Sequence, residues 1–588
     1  MTLSTQSSIY RFEHRSRIAI FAAQILIIAG FLICMLNSTS LGPTLDDSYI
    51  HYQYVKNLAE YGEVSFNPGQ WSTGTTSLFW NILLLPGVLA GIPIIPLSLF
   101  LGIALYLVIG QQVYSVFKTY WKSEINNLLS VAIVIMTGNL AWYALSGMET
   151  LLFISLGLWW IDSFRKQRWA LAGLLAGALM LTRIEGMLFF LLGVFFTIKQ
   201  FPQIKTAVKP LLLQLVCGLP VTLPSFILNK MVTGNFYPTT MAGKKWLYGI
   251  SPGFISLSLP DLKRFILSWA ATLYQTNWWP QIIGRPSSLI LSIGKQFIPG
   301  LVNKENITYT VTPYPLWFQA LIAILSLIML LLLLRGLYRI LRPVWQDFFH
   351  SRETNAYQLL FYWFLGQNLI YILLMPHRGH GGRYQAVNFL LFGLFLIAGT
   401  DICEKAKNWK KILFKYLLRP LTLLIYFFSI ITWADIYTAS VLQVNNVHKA
   451  AGLWLKENLP TNTVVAAFDV GAIKYFSQLP IVDIAGLTDR ETLDAALKGD
   501  IVPIMKQHGA EYLAMIEELT PRKHPDPQAI VPFNSMFYKK LGLTQQIGKN
   551  LNLTPVKRFS VNYQQWTRPW VALRTHSPVI VIYKIDWF

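Results

Sequence analysis

Charge is the scarcest ingredient of this 588-residue chain. Only 13% of its side chains are Asp, Glu, Lys or Arg, against about 25% in a typical soluble protein. Acidic residues are scarcer still, with 28 Asp and Glu against 49 Lys and Arg and a formal net charge of +21. Cysteine is nearly missing. Cys34, Cys217 and Cys403 lie in or beside apolar stretches and offer neither a disulfide framework nor metal-ligand spacing. Internal repeats and low-complexity tracts are lacking too. These shortages exclude a disordered chain, a soluble single-core enzyme and a disulfide-rich secreted module. What is present is apolar and aromatic: 54% hydrophobic residues, including 20 Trp. That balance belongs to a polytopic membrane protein. The basic excess then collects in cytoplasmic loops, and no nucleic-acid partner is needed to explain it.

A spanning helix needs about 20 mainly apolar residues to bridge roughly 30 Å of hydrocarbon. Apolar runs lie near 18–36, 78–95, 97–117, 128–146, 149–164, 169–182, 184–199, 211–229, 314–335, 357–375, 385–402 and 416–436. The first, flanked by Arg11, Arg15 and Arg17, reads as an uncleaved anchor rather than a signal peptide. Loops rich in Lys and Arg around 118–122, 165–168, 199–209, 335–342 and 405–411 orient the chain with its N-terminus in the cytoplasm. The run 78–117 contains Gly91, Pro93 and Pro96 and reads as one crossing, for about 11 spans, or 12 if it crosses twice. The other side then receives the loop 37–77, the segment 230–313, the short loop 376–384 and everything after 437. The expected organisation is a multi-span membrane domain over 1–437 and an extracytoplasmic soluble α/β domain over 438–588. Within the latter the pattern predicts a helix at Ala450–Asn458, a strand at 464–468, a helical turn at 471–476 and a second strand at 481–484.

The first outer loop opens Gly42-Pro43-Thr44-Leu45-Asp46-Asp47. Apolar or aromatic residues at 50, 54, 58 and 61 follow on one helical face, the pattern of an amphipathic helix along the membrane surface. Asp46 and Asp47 stand at its start, where free N–H groups and the helix dipole favour a carboxylate; the alternative reading is that one caps the helix and the other is solvated. The loop continues Asn67-Pro68-Gly69 and Gly74-Thr75-Thr76. Later come Ser146-Gly147-Met148-Glu149, Thr182-Arg183-Ile184-Glu185-Gly186, Tyr237-Pro238-Thr239-Thr240-Met241-Ala242-Gly243-Lys244, Gly382-Arg383-Tyr384, Asp469-Val470-Gly471 and Asp483-Ile484-Ala485-Gly486. In this order they resemble the GT-C polytopic membrane glycosyltransferases that use polyprenyl-phosphate sugars, and especially their arabinofuranosyltransferase-like branch. Gly74-Thr75-Thr76 departs from that branch, whose members more often carry an acidic residue and an aromatic before this turn.

The resemblance implies an inverting hexosyl- or pentosyltransferase of the bacterial inner or plasma membrane. Its donor would be a polyprenyl-phosphate sugar and its acceptor an envelope glycan, lipid or protein. The residues suit that chemistry. An acceptor hydroxyl must lose a proton as it attacks the anomeric carbon, and Asp46 or Asp47 is a candidate general base. The pair is equally a candidate ligand set for a divalent cation, Mg or Mn. Glu149, at the outer end of a span, either orients the acceptor or solvates that end. Arg183 and Glu185 read foremost as partners of each other. Arg378, His380 and Arg383 form the densest outer cationic cluster, placed to grip a lipid phosphate or, alternatively, anionic headgroups. Lys244 is a second phosphate contact. His377 and His380 make a weak zinc signal, and Asp469 reads as a turn or cap residue. Two other functions share these features: a transporter or flippase of lipid-linked sugars, and an O-antigen ligase-like enzyme. The first would be expected to show paired halves with broken helices, and the second to lack an aspartate pair after its first span.

Overall fold

The computed structural model describes residues 3–236, 238–250, 258–263, 266, 316–377, 379–402, 407–518, 536–561 and 578–588. Arg378, Cys403 and most of the segment 230–313 lie outside them. The helices are α1 (Leu3–Leu36), α2 (Asp47–Tyr61), α3 (Leu78–Leu89), α4 (Ile94–Phe117), α5 (Glu124–Ile135), α6 (Gly138–Ala144), α7 (Thr150–Arg165), α8 (Trp169–Thr182), α9 (Met187–Gln200), α10 (Ile204–Thr233) and α11 (Thr239–Leu247). They continue with α12 (Leu316–His350), α13 (Ala356–Leu374), α14 (Ala386–Thr400), α15 (Arg419–Gln443), α16 (Ala450–Asn458), α17 (Gly471–Ser477) and α18 (Arg490–Lys498).

The chain is a multi-pass integral membrane protein. Among the described residues, six helical segments are long and apolar enough to cross a bilayer, or seven if α5 and α6, bent by 57° at their junction, count as one span. Other expected runs are shorter or broken helices, and the run 314–335 begins the long helix α12. Helices α7 and α9 have 16 and 14 residues, or roughly 24 and 21 Å at 1.5 Å per residue. Helix α3, with 12 residues, reaches only about 18 Å, in keeping with a single crossing over 78–117.

Helix α14 is apolar all round, and every one of its residues is buried, so it forms the axis of the bundle. Glycines let its neighbours approach. A Cβ on Gly336 of α12 would lie 1.7 Å from the Phe395 carbonyl oxygen, and one on Gly399 would lie 2.0 Å from that of Leu332. At the C-terminal end of α14, Arg335 and Arg339 donate to the carbonyls of Ala398, Gly399 and Asp401, a favourable place for cations. Lys118, which ends α4, pairs with Glu13 near the start of α1. The opposite end of the bundle carries the α/β unit.

That unit is a five-stranded mixed sheet of β1 (Val465–Ala467), β2 (Ile481–Asp483), β3 (Tyr512–Glu518), β4 (Leu551–Phe559) and β5 (Pro578–Trp587), in the order β2-β1-β3-β5-β4. β1 runs parallel to β2 and β3, while β5 is antiparallel to β3 and β4. The helix at Ala450–Asn458 and the expected strands and helical turn appear within a residue or so of their predicted limits. Alternation divides the sheet faces. Ala466, Val579 and Val581 pack into a core of the unit's own, whereas Val465, Ala467, Ile580 and Ile582 pack with Ile50 and Tyr54 of α2.

Helix α2 therefore does not lie along a membrane surface as its pattern predicts. Tyr49, Tyr52 and Val55 join the bundle core while Ile50 and Tyr54 join the sheet, and Ser48 to Val55 are all buried. Even its polar residues are enclosed: Asn57 donates to the carbonyls of Ser65 and Phe66 at 2.9 and 3.2 Å. The loop after it is stitched to the sheet edge, where the Asn67 amide donates to Ile481 O at 2.9 Å and accepts from Ile481 N at 3.2 Å. Gly74 meets the turn after β2 so closely that a Cβ would lie 2.7 Å from Thr488 Cα.

Asp483 holds that turn. Its buried carboxylate accepts from the N–H groups of Ala485, Leu487 and Thr488 and from the Thr488 hydroxyl, all within 3.0 Å. Asp483→Ala strands three backbone donors at about 1–3 kcal/mol each. A loss of about 3 kcal/mol or more in the stability of the α/β unit is expected, read by chemical denaturation in detergent.

Candidate active site

Consecutive residues of a helix point about 100° apart, so Asp46 and Asp47 at the head of α2 face different partners. Asp46 makes no side-chain cap on its own helix. Its Oδ2 accepts from Gly471 N–H at 2.9 Å and its Oδ1 from Ala472 N–H at 2.7 Å, so it holds the first turn of α17 in the α/β unit. Only glycine fits at 471, since a Cβ there would sit 2.2 Å from the Asp46 carbonyl oxygen. Burial pushes the Asp46 carboxyl up to about 6, against the opposing pull of nearby His448. His448 in turn meets Asp469 Oδ2 through Nε2 at 3.0 Å. Asp469 thus reaches across to His448 rather than serving only its own turn.

Asp47 faces the cations. Its Oδ2 accepts from Arg383 Nη2, and Lys244 Nζ stands 4.0 Å from the same oxygen. Burial alone would raise this carboxyl. Arg383, then Lys244 and His380, more than offset that and hold it well below the usual carboxylate range. Arg383 is delivered by the 3-10 turn His380–Gln385 that leads into α14. The turn needs two left-handed residues, Gly381 at φ 63° and Gly382 at φ 78°. Its Gly381 carbonyl accepts from Asn139 at 2.7 Å and Tyr143 at 2.6 Å, so α6 clamps it. The Arg383 side chain is 2% exposed, yet its Nε and Nη1 have no hydrogen-bond partner among the described residues. His380 sits exposed on the same turn. Arg378 lies outside the described residues.

Beside this group opens a cleft lined by Glu149, Arg183, Thr240, Lys244, Tyr371 and Arg383 among others. Arg183 organises one wall: it donates to Glu149 at 2.7 Å, to Glu185 at 2.6 Å and to the Tyr371 hydroxyl at 3.0 Å. The expected Arg183–Glu185 pair is thus present, but it shares its guanidinium with Glu149 and faces the cleft. Gly147, left-handed at φ 72°, turns the chain so that Glu149 is buried to 1% exposure. His51 stands behind it. Its Nε2 is 3.7 Å from Glu149 Oε2, and its Nδ1 contacts Thr75 at 3.0 Å and Asn81 at 3.2 Å. Burial lowers the His51 imidazole despite the pull of Glu149. The sequence reading passed over His51, although it lies one helical turn after Asp47 on the same face of α2. Tyr371 was also missed, because apolar helices commonly carry aromatics; its ring stacks at 5.4 Å on that of Tyr384, part of the Gly382-Arg383-Tyr384 motif.

The structure thus brings Asp47, Glu149, Lys244, His380 and Arg383 to one end of the bundle and turns Asp46 away into the α/β unit. A divalent cation bridged by the aspartate pair does not fit this arrangement. Asp46 commits both oxygens to N–H groups, Asp47 Oδ2 already lies on two cations, and no set of three His, Cys, Asp or Glu among the described residues is disposed around a metal. His377 stacks on Tyr248, with ring centroids 3.7 Å apart.

A family profile described as a domain of unknown function (DUF8728) matches residues 435–576. No curated protein matches the chain. Among solved structures, the archaeal oligosaccharyltransferase AglB from Archaeoglobus fulgidus, in complex with an inhibitory peptide and a dolichol-phosphate, is similar at TM-score 0.53 and 10% identity. The similarity covers 94% of this chain and 81% of that one. The Archaeoglobus fulgidus oligosaccharyltransferase in complex with Zn and sulfate is similar at TM-score 0.50 and 10% identity, over 96% and 88% of the two chains. ArnT from Cupriavidus metallidurans in the apo state aligns at TM-score 0.47 and 11% identity, over 96% and 97%. At such identities the likeness is one of fold. The chain is a mostly helical membrane protein with a C-terminal mixed α/β region, and its fold resembles that of the Archaeoglobus fulgidus oligosaccharyltransferase.

Proposed function

We propose that this chain is an integral-membrane glycosyltransferase that moves a sugar, with inversion, from a polyprenyl-phosphate donor to an envelope glycan, lipid or protein acceptor. The observation that carries this reading is one carboxylate oxygen, Asp47 Oδ2, held by Arg383 and within 4.0 Å of Lys244, two cations that line one cleft. A base and a phosphate-binding pair are what the reaction requires. The acceptor oxygen attacks the anomeric carbon, the carbon–oxygen bond to phosphate breaks with its electron pair going to phosphate, and the acceptor proton goes to Asp47. Arg383 and Lys244 balance the second negative charge that the leaving phosphate gains, in a site with little water to do so. Arg383 suits this role because its planar fork matches phosphate oxygens. The wall of Glu149, Arg183, Glu185 and Tyr371 offers hydrogen-bonding groups to sugar hydroxyls. Asp46 acts at one remove: with both oxygens on α17, it fixes the start of α2 and so the aim of Asp47.

The reaction belongs to the extracytoplasmic side, with the N-terminus in the cytoplasm. Supporting this, Arg335, Arg339 and Lys118 gather at the bundle end away from the α/β unit, as basic residues do on the cytoplasmic face.

Asp47→Asn keeps the shape of the side chain but cannot take the acceptor proton. At saturating donor its turnover should fall by about 10²–10⁴-fold, with membrane insertion unchanged. Asp46→Asn should instead lower thermal stability and reduce turnover less. Release of polyprenyl phosphate coupled to acceptor glycosylation, followed by mass spectrometry, reads both; turnover of Asp47→Asn within about threefold of wild type, far below that catalytic range, excludes Asp47 as the base. A background lacking Cys34, Cys217 and Cys403 tests the orientation. A membrane-impermeant maleimide added outside intact cells should label Asp500→Cys and spare Trp409→Cys. Labelling of both from one side overturns the assignment.

A further inference from the structure

Arg383 is an incomplete binding group in this state. Its side chain is 2% exposed, one nitrogen meets Asp47, and Nε and Nη1 meet no acceptor among the described residues. A buried guanidinium N–H without an acceptor is costly, so the site is shaped for a ligand with more oxygens than Asp47 supplies. The Thr240 hydroxyl, also buried without a partner, lines the same cleft. Lys244 Nζ, at 4.0 Å from Asp47 Oδ2, is not yet in hydrogen-bond contact. Besides Arg183, which is taken up by its own carboxylates, the cleft holds Arg383 and Lys244 with several unused donors, and among the described residues the anion facing both of these cations is Asp47. The other charged groups that act on Asp47 or its partners are His380, Asp46, Asp469 and Glu149.

We infer that Asp47 is an internal stand-in for the phosphate of the lipid ligand, and that the two anions exchange on Arg383 and Lys244 during each catalytic cycle. The inference rests on the proposed glycosyl transfer and adds an order of events to it. A lipid phosphodiester entering the cleft takes the guanidinium fork and the ammonium. Two anions crowded on one guanidinium in a site of low dielectric repel each other, so the phosphate displaces Asp47 Oδ2 from Arg383. The carboxylate freed in this way is the one that can receive the acceptor proton, so donor binding comes before productive acceptor binding. In the transfer step one negative charge leaves Asp47 as it is protonated, and one appears on phosphate as the glycosidic bond breaks. The total charge beside Arg383 and Lys244 is therefore unchanged. When Asp47 later gives its proton to water, it competes again for Arg383 and helps expel the lipid phosphate product. One short ion pair thus sets the order of binding and limits product inhibition.

The decisive measurement is binding of undecaprenyl phosphate to the purified full chain in detergent, with undecaprenol as the uncharged control. Removing a competing carboxylate should strengthen phosphate binding, so Asp47→Asn is expected to bind undecaprenyl phosphate about tenfold or more tightly than wild type. Asp47→Ala should behave in the same way and serves if the amide disturbs the turn. Arg383→Ala should weaken binding by a similar factor, Arg383→Lys should recover only part of it, and undecaprenol binding should not respond to any of them. Unchanged binding in Arg383→Ala removes the phosphate site itself and with it the proposed chemistry. Weakened binding in Arg383→Ala together with unchanged or weaker binding in both Asp47 variants leaves the phosphate site standing and overturns the exchange.

Discussion

Helix α2 must satisfy two bodies at once, and most of the architecture around the site follows from that constraint. One of its faces completes the bundle core through Tyr49, Tyr52 and Val55, while the other completes the sheet core through Ile50 and Tyr54. A short helix buried on both sides cannot slide or tilt without opening one of the two interfaces, because close-packed interiors tolerate few voids. Asp46 adds a polar lock by accepting two backbone hydrogen bonds from α17. The residue after it is consequently aimed with precision although it stands at the end of a loop. Neighbouring carboxylates thus divide the work, one joining two structural units and the other facing the cleft.

The electrostatics of the cleft are as constrained as its packing. Asp47, Glu149 and Glu185 face Arg183, Arg383 and Lys244 in a linked set of ion pairs. Taking such groups out of water is expensive, and apolar residues of similar volume would often be no less stable, so the set is poor evidence for stability as its purpose. A cluster of ionisable groups with strong mutual interactions beside a cleft is instead what a functional site presents. Within the set, the Arg183 side is closed, with donors directed at Glu149, Glu185 and Tyr371. The Arg383 side is open, with two nitrogens unsatisfied. That asymmetry separates a wall from a binding group.

Similarity to solved structures at about one residue in ten fixes the arrangement of helices and sheet and no more. Function in this case is argued from the site, since one fold can carry many chemistries. The match to a domain of unknown function covers the last turns of the bundle and most of the sheet unit. Within that region, Gly471 and Ala472 take part in the site by holding Asp46, and Asp469 by holding His448. The α/β unit is thereby built into the support of the reacting end and is not merely appended to it.

The sequence by itself determined the class of protein, the apolar helices, and the strands and short helices after residue 450, because these depend on composition and on periods of two and 3.6 that are local. It also singled out Asp46, Asp47, Glu149, Lys244 and Arg383, since ionisable residues stand out in a chain so short of charge. It left Asp46 and Asp47 equivalent. Only tertiary structure separated them, because one found backbone N–H groups more than 400 residues away and the other found Arg383. For the same reason the pattern of α2 was read as a membrane-surface helix. Periodicity reports that a face is apolar, but not that a second, distant part of the chain will cover the opposite one. His51 and Tyr371 were not recognisable from local pattern, since a buried histidine or tyrosine looks like core until its partners are known.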